Sequence, residues 1–189
     1  LGALLDAVKT ETGDHYAVQS QAVQAPCGTW YRPMQRRRDL VILYCHGGGY
    51  AFYGAMNRRF GQMLAHHLGA DVFAPDYRLT PEHPHPAQAE DARAAWDYLA
   101  AQYPPEKIVL IGDSAGGHMV LMLLQALAQD GVQPALCVGL CPWTDTGAVA
   151  PDGAGGWPND RYDLVQGWMA ETFGRWLDPE ARFGDRISP

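Results

Sequence analysis

Ser114 lies in Gly112-Asp113-Ser114-Ala115-Gly116-Gly117, a G-x-S-x-G pattern set where an apolar run ends and a helical pattern opens. A serine on so sharp a strand-to-helix turn is forced into a strained backbone conformation. Side chains two residues to either side collide there, so glycine is required at both places. The turn lifts the hydroxyl clear at the end of a sheet and aims the positive end of the new helix at any negative charge developing above it. Only three serines occur among 189 residues, so chance placement of glycine on both sides of one is rare.

A second segment, His46-Gly47-Gly48-Gly49-Tyr50, follows an earlier apolar run. Consecutive glycines leave main-chain N–H groups unobstructed. Acyl transfer needs such donors where the tetrahedral oxyanion forms. The expected donors are the amides of Gly47 and Gly48, joined by Ala115 at the helix start. A phosphate-binding loop is the competing use of such a segment, but neither G-x-x-x-x-G-K-[ST] nor G-x-G-x-x-G is present. His46 is expected to orient the loop. In the third segment, Asp76 to Pro84, the expectation is a buried network of Asp76, Arg78 and Glu82 beneath the oxyanion loop. His83 and His85 there lack an obvious carboxylate partner, so no metal site is expected. Asp113, inside the serine turn, joins His46 and Asp76 as supporting residues.

The elements that hold these segments follow from periodicity. Leu40 to Cys45, Ala70 to Pro75, Lys107 to Ile111 and Leu136 to Cys141 are apolar runs too short for helices. They read as strands buried on both faces, the pattern of a parallel sheet. Helices are expected between them, over Asn57 to Leu68, Pro86 to Ala101 and Gly117 to Asp130. The last stops at Gly131 with Pro134 beyond. Strand alternating with helix predicts right-handed βαβ units. Tyr16 to Ala25 and Gly28 to Arg32 read as an antiparallel pair at the sheet edge. Gly147 to Pro158 reads as a loop, and Arg161 to Leu177 as an apolar-faced helix.

Composition narrows the classes. At 47% hydrophobic and 19% charged the chain is that of one globular domain. A net charge of −7 without a basic stripe excludes a nucleic-acid binder. No apolar run reaches the length of a membrane span and no secretory signal is evident, so the expected location is cytoplasmic, with no membrane partner. The chain starts at Leu1 rather than Met, as a trimmed N-terminus does. Cys27, Cys45, Cys137 and Cys141 form no C-x-x-C pair, and the last two, on one strand, stand about 13 Å apart. All four are expected to be free thiols filling the core.

Taken in order, His46 to Tyr50, Asp76 to Asp91, Gly112 to Gly117 and Cys141-Pro142-Trp143-Thr144-Asp145 resemble the bacterial hormone-sensitive-lipase-like esterases. The resemblance runs from about Gly28 to the end. It implies the α/β-hydrolase fold, a mostly parallel sheet with helices on both faces, and a helical cap. It implies hydrolysis of short-chain carboxylic esters without a cofactor. Carried over, Ser114 matches the nucleophile; Gly47, Gly48 and Ala115 match the oxyanion positions. Tyr50 and Trp143 fall at the substrate pocket. Residues 1–15 match the end of an N-terminal cap helix, 16–146 the core, and 147–189 a cap-like stretch leading toward the last strands.

One part of the pattern is missing. In this fold the triad runs serine, acid, histidine, yet no histidine follows His118. That residue, one turn past the nucleophile on the same helix, suits packing better than base catalysis. The acid, the histidine and the last strands are therefore expected on a complementing C-terminal segment or a second chain. Two other readings share the scaffold. One is a small-ligand binder without turnover, as in the plant gibberellin receptor, which resembles the same family. The other is an amidase or arylformamidase, since triad chemistry serves amides as well as esters.

Overall fold

The computed structural model describes residues 16–146, 165 and 167–189. The expected cap remnant over 1–15 and the loop over 147–158 lie outside the described residues, as does the start of the helix expected from Arg161.

Six strands form one sheet in the order β1-β2-β4-β3-β5-β6. β1 (Val18–Gln24) and β2 (Cys27–Pro33) form the antiparallel edge pair, and β2 also runs antiparallel to β4 (Asp71–Pro75). β3 (Val41–Cys45) lies between β4 and β5 (Ile108–Asp113), parallel to both, and β6 (Leu136–Leu140) pairs parallel with β5. The carboxyl ends of β3 and β5 are thus neighbours, with Cys45 opposite Gly112. That pairing sets the triple-glycine segment beside the serine turn.

Alternate residues of β3 divide between two cores. Val41, Leu43 and Cys45 pack with Trp96 of α2 (Ala87–Ala100) and with Met119 and Val120 of α3 (Ala115–Gln129). Ile42 and Tyr44 pack on the opposite face with Ala65 of α1 (Ala55–Leu68). Every residue of β3 and β4 is buried, which is why β3, and β4 after Asp71, read as unbroken apolar runs rather than alternating ones. Burying each large apolar side chain in these layers contributes about 1.5–3 kcal/mol.

β6 departs from the expectation of burial on both faces. Leu136 is 56% exposed and Leu140 37%, because among the described residues β5 is its only neighbour in the sheet. Its apolar sequence is that of an interior strand, and its free edge is open to pairing. A final helix, α4 (Gly167–Leu177), matches the described part of the apolar-faced helix, and a 3-10 turn follows at Gly184–Ile187. All four cysteines are free thiols, but only Cys45 is buried; Cys27 and Cys141 are exposed, so core filling describes one of them well.

Candidate active site

β5 delivers Ser114 at its end, and α3 starts at the next residue. Ser114 has φ 51° and ψ −117°, a backbone conformation that costs a non-glycine residue about 1–3 kcal/mol. Main-chain bonds hold it there. Its N–H donates to the Leu140 carbonyl at 2.9 Å, and its carbonyl accepts from His118 and Trp143 at 3.0 Å each. The residue is half-buried. The flanking glycines are demanded by crowding. A Cβ at Gly112 falls under 3.0 Å from the Gly116 carbonyl, and one at Gly116 falls under 3.0 Å from the Cys45 and His46 carbonyl oxygens. The second glycine is therefore required by the adjoining strand end, not by the turn alone.

The triple-glycine segment lies against this turn through Asp113. The Gly47 amide donates to Asp113 Oδ1 at 3.0 Å, and the Tyr44 hydroxyl donates to the same oxygen at 2.8 Å. The Gly47 carbonyl lies 2.7 Å from His46 Nδ1 and accepts from Asn57 Nδ2 at 3.1 Å. This corrects one expectation: the Gly47 N–H is committed to a carboxylate and is no free oxyanion donor. Gly48 (φ 119°) and Gly49 (φ 60°) occupy left-handed conformations, which glycine adopts without the Cβ penalty. Among the described residues no hydrogen bond is donated by their amides. Ala115, the first residue of α3, has one of the N–H groups that a helix start leaves without an internal acceptor. Gly49 also packs directly on the Phe173 ring, so α4 lies over the loop.

His46 is an interior group. Its ring stacks on Tyr77 with centroids 4.1 Å apart, and the Tyr77 hydroxyl donates to the His46 carbonyl at 2.6 Å. With Nδ1 facing the Gly47 carbonyl, the ring is the neutral tautomer with its proton on that nitrogen. Burial pushes its pKa down to about 4, opposed only in part by the bond to Gly47. Unfolded, the ring titrates near 6.5. The folded pKa is the lower one, so its contribution to stability is whole above about pH 6.5 and is lost as pH falls toward 4. The slope is about 1.4 kcal/mol per pH unit, some 3 kcal/mol in all. A ring-proton NMR titration of the folded chain should place the His46 midpoint near 4; a midpoint at the unfolded value would contradict its burial.

The network expected beneath the loop is built differently. Arg78 binds neither Asp76 nor Glu82. Its guanidinium meets both oxygens of Asp91 at 2.9–3.0 Å and Glu90 at 2.8 Å, tying the loop to the first turn of α2. That ion pair is largely exposed, so it contributes modestly. Asp76 instead approaches the Cys27 thiol at 3.8 Å and the Tyr53 hydroxyl.

Tyr50 and Trp143 were expected at the substrate pocket. Tyr50 is only 2% exposed, and its hydroxyl lies 2.5 Å from His118 Nδ1. It borders a cavity of about 260 Å³ between α2 and α3, walled by Met119, Met122, Leu123 and Leu177. Trp143 is half-buried against the same core. Nearer the loop, Phe52 packs edge-on against Phe173. Tyr44, Asn57 and Phe173 are residues of the site that the sequence reading did not single out. Asn57 left a signal, a polar side chain in the first turn of the helix that follows the glycines.

Among the described residues no histidine ring hydrogen-bonds the Ser114 hydroxyl. His118 is held between Tyr50 and the Ile187 carbonyl. His85 packs against Phe183, and His66 and His67 pack against each other and Tyr16. No group of three or more His, Cys, Asp or Glu side chains among the described residues is arranged to hold a metal ion. No helix among them is long and apolar enough to cross a membrane.

Known proteins with this arrangement agree with one another. A family described as alpha/beta hydrolase fold matches residues 42–188. An acetyl-hydrolase of Streptomyces hygroscopicus is 42% identical over 119 residues, 61% of this chain and 40% of that protein. Carboxylesterase NlhH of Mycobacterium tuberculosis is 37% identical over 118 residues, 59% of this chain and 36% of its own. The crystal structure of an esterase from the bacterial hormone-sensitive lipase family superposes with a TM-score of 0.81 at 31% identity, covering 98% of this chain and 62% of that one. EstE5, soaked by p-nitrophenyl butyrate, gives 0.78 at 28% identity over 95% of this chain and 61% of its own. The chain spans less than half the length of the curated relatives it matches. From the turn at Ser114, the glycine segment beside it and the fold that carries both, the chain belongs to the α/β-hydrolase fold family, in its hormone-sensitive-lipase-like group.

Proposed function

We propose that the protein is a serine carboxylesterase that cleaves short-chain esters through an acyl-enzyme on Ser114. The observation that carries this reading is the juxtaposition of the strained serine turn with the glycine segment, bridged by Asp113. The ester carbonyl rests over Ser114. A histidine base takes the hydroxyl proton as Oγ bonds to the carbonyl carbon. The amides of Gly48, Gly49 and Ala115 hold the oxyanion, and losing one such donor typically costs about 3 kcal/mol. The bond to the alkoxy oxygen then breaks, and the base returns its proton to the departing alcohol. Water, deprotonated by the same base, releases the acid. No cofactor enters these steps.

The acid and the base come from a complementing C-terminal segment or a second chain. This part of the proposal rests on the described histidine rings, none of which hydrogen-bonds Ser114, and on the share of its relatives that the chain spans. Labelling with a fluorophosphonate tests it. Ser114 in the 189-residue chain should react slowly, and quickly once the polypeptide bearing the base is present. Rapid stoichiometric labelling of the chain alone would remove the need for an outside base. The complete protein should turn over p-nitrophenyl acetate far faster than the matched anilide; binding without turnover of either would favour a receptor-like role.

A further inference from the structure

We propose that Tyr50 and His118 form a positioning pair that sets the Gly48 and Gly49 amides at a fixed distance from Ser114. The inference rests on the esterase reading for its catalytic consequence, but its geometry stands alone.

Tyr50 follows the glycines directly and has φ 61°, a left-handed conformation that is costly for a bulky residue. Strain of this kind persists only where surrounding contacts over-determine it. Here two sets of contacts do so. The Tyr50 carbonyl accepts from the Thr80 amide at 2.8 Å and from the Thr80 hydroxyl at 3.2 Å. At its other end the buried phenol reaches His118 Nδ1 at 2.5 Å. His118 Nε2 faces the Ile187 carbonyl, which accepts only, so the ring carries its proton on Nε2 and Nδ1 accepts from Tyr50. His118 is itself buried.

His118 also belongs to the turn of α3 that carries the nucleophile, since its amide donates to the Ser114 carbonyl at 3.0 Å. One hydrogen bond therefore joins the residue after the oxyanion loop to the turn that holds the serine. Asp113 fixes the first glycine of the segment from one side, and the Tyr50–His118 bond fixes the residue after the last from the other. The two free amides between them have little room to drift. Loss of the second anchor lets Tyr50 relax its φ, and the peptide groups before it rotate. Donors of this kind must be held to about half an ångström.

Three variants separate positioning from plain packing. Tyr50→Phe removes the donor. His118→Gln places its amide where Nε2 was, keeping the bond to Ile187 and losing the one to Tyr50. His118→Asn places an acceptor at the Nδ1 level and restores the Tyr50 bond. In the 189-residue chain, the Gly48 and Gly49 amide resonances should shift or broaden in Tyr50→Phe and His118→Gln and return toward wild type in His118→Asn. In the complete protein, kcat for p-nitrophenyl acetate should fall about 10- to 100-fold in the first two, with KM within threefold, and recover most of that in the third. Wild-type amide resonances with wild-type kcat in Tyr50→Phe overturn the inference. So do losses in all three variants that merely track thermal stability. If the wild-type complete protein hydrolyses no ester, the esterase reading fails by itself, and the glycine amides still decide this one.

Discussion

Ser114→Ala in the complete protein should lower kcat/KM for p-nitrophenyl acetate by about 10⁴- to 10⁶-fold while leaving stability almost unchanged. That loss is about 5.5–8 kcal/mol of transition-state stabilisation at about 1.4 kcal/mol per decade. On the proposed mechanism it stops short of the uncatalysed rate, because the Gly48, Gly49 and Ala115 amides would still hold the oxyanion. Donors and binding alone leave about 10³- to 10⁴-fold over water. Stability should hold for a local reason. The bonds that fasten residue 114 come from its main chain, to Leu140, His118 and Trp143, and alanine keeps all of them. The φ of 51° strains alanine as it strains serine. Ser114→Gly removes the strain and should raise the urea midpoint by about 1 kcal/mol equivalent while being equally inactive. A variant without the hydroxyl that keeps a tenth of wild-type turnover, with full stability, would end the acyl-enzyme proposal.

The divide between what could be read in the sequence and what could not follows the range of the interactions. Strands β3 to β5 and their helices were legible because burial on both faces writes itself into uninterrupted apolar runs. The serine turn was legible because its constraint is local, and Gly112 and Gly116 stand two residues away. Two of the helix starts were placed late. α1 opens at Ala55 rather than Asn57 because the Asn57 side chain accepts from the Gly54 amide at 2.9 Å and so serves from inside the first turn. α3 opens directly after Ser114 rather than at Gly117. The choice of free amide was not legible at all. It depends on Asp113 reaching Gly47 across 66 residues of sequence, with Tyr44 completing the carboxylate's contacts. Nothing in three equal glycines says which one a distant side chain will claim. Arg78 failed for a related reason: Asp76 turns to Cys27 and Tyr53, while Glu90 and Asp91, a dozen residues on, return with the helix. In β6 the reading of hydrophobicity was sound, but its burial depends on neighbours that the described sheet does not contain.

Gly116→Ala should destabilise the fold by about 3–4 kcal/mol, a large part of the 5–15 kcal/mol that holds a typical domain. Residue 116 is inside α3 with ordinary helical torsions, so by propensity alone alanine would stabilise it by about 1 kcal/mol. Any loss is therefore steric. The new methyl meets the carbonyls of Cys45 and His46. These are main-chain atoms at the end of a buried strand, and Cys45 is paired in the sheet with Gly112. The strand cannot retreat without breaking that ladder. The helix cannot retreat freely either, since a Cβ at Gly117 would already crowd Pro142. Relief must come from lifting α3, which also carries Ser114 away from the glycine segment, so activity should fall further than stability predicts. Gly131→Ala is the control. Gly131 has φ 73° with nothing within 4 Å of an added Cβ, so alanine there costs only the left-handed backbone penalty, about 1–2 kcal/mol. Urea unfolding of both variants should separate crowding from torsional strain by roughly 2 kcal/mol. If Gly116→Ala proves as stable as wild type, the close approach of α3 to the end of β3 is wrong, and the geometry proposed for the oxyanion site falls with it.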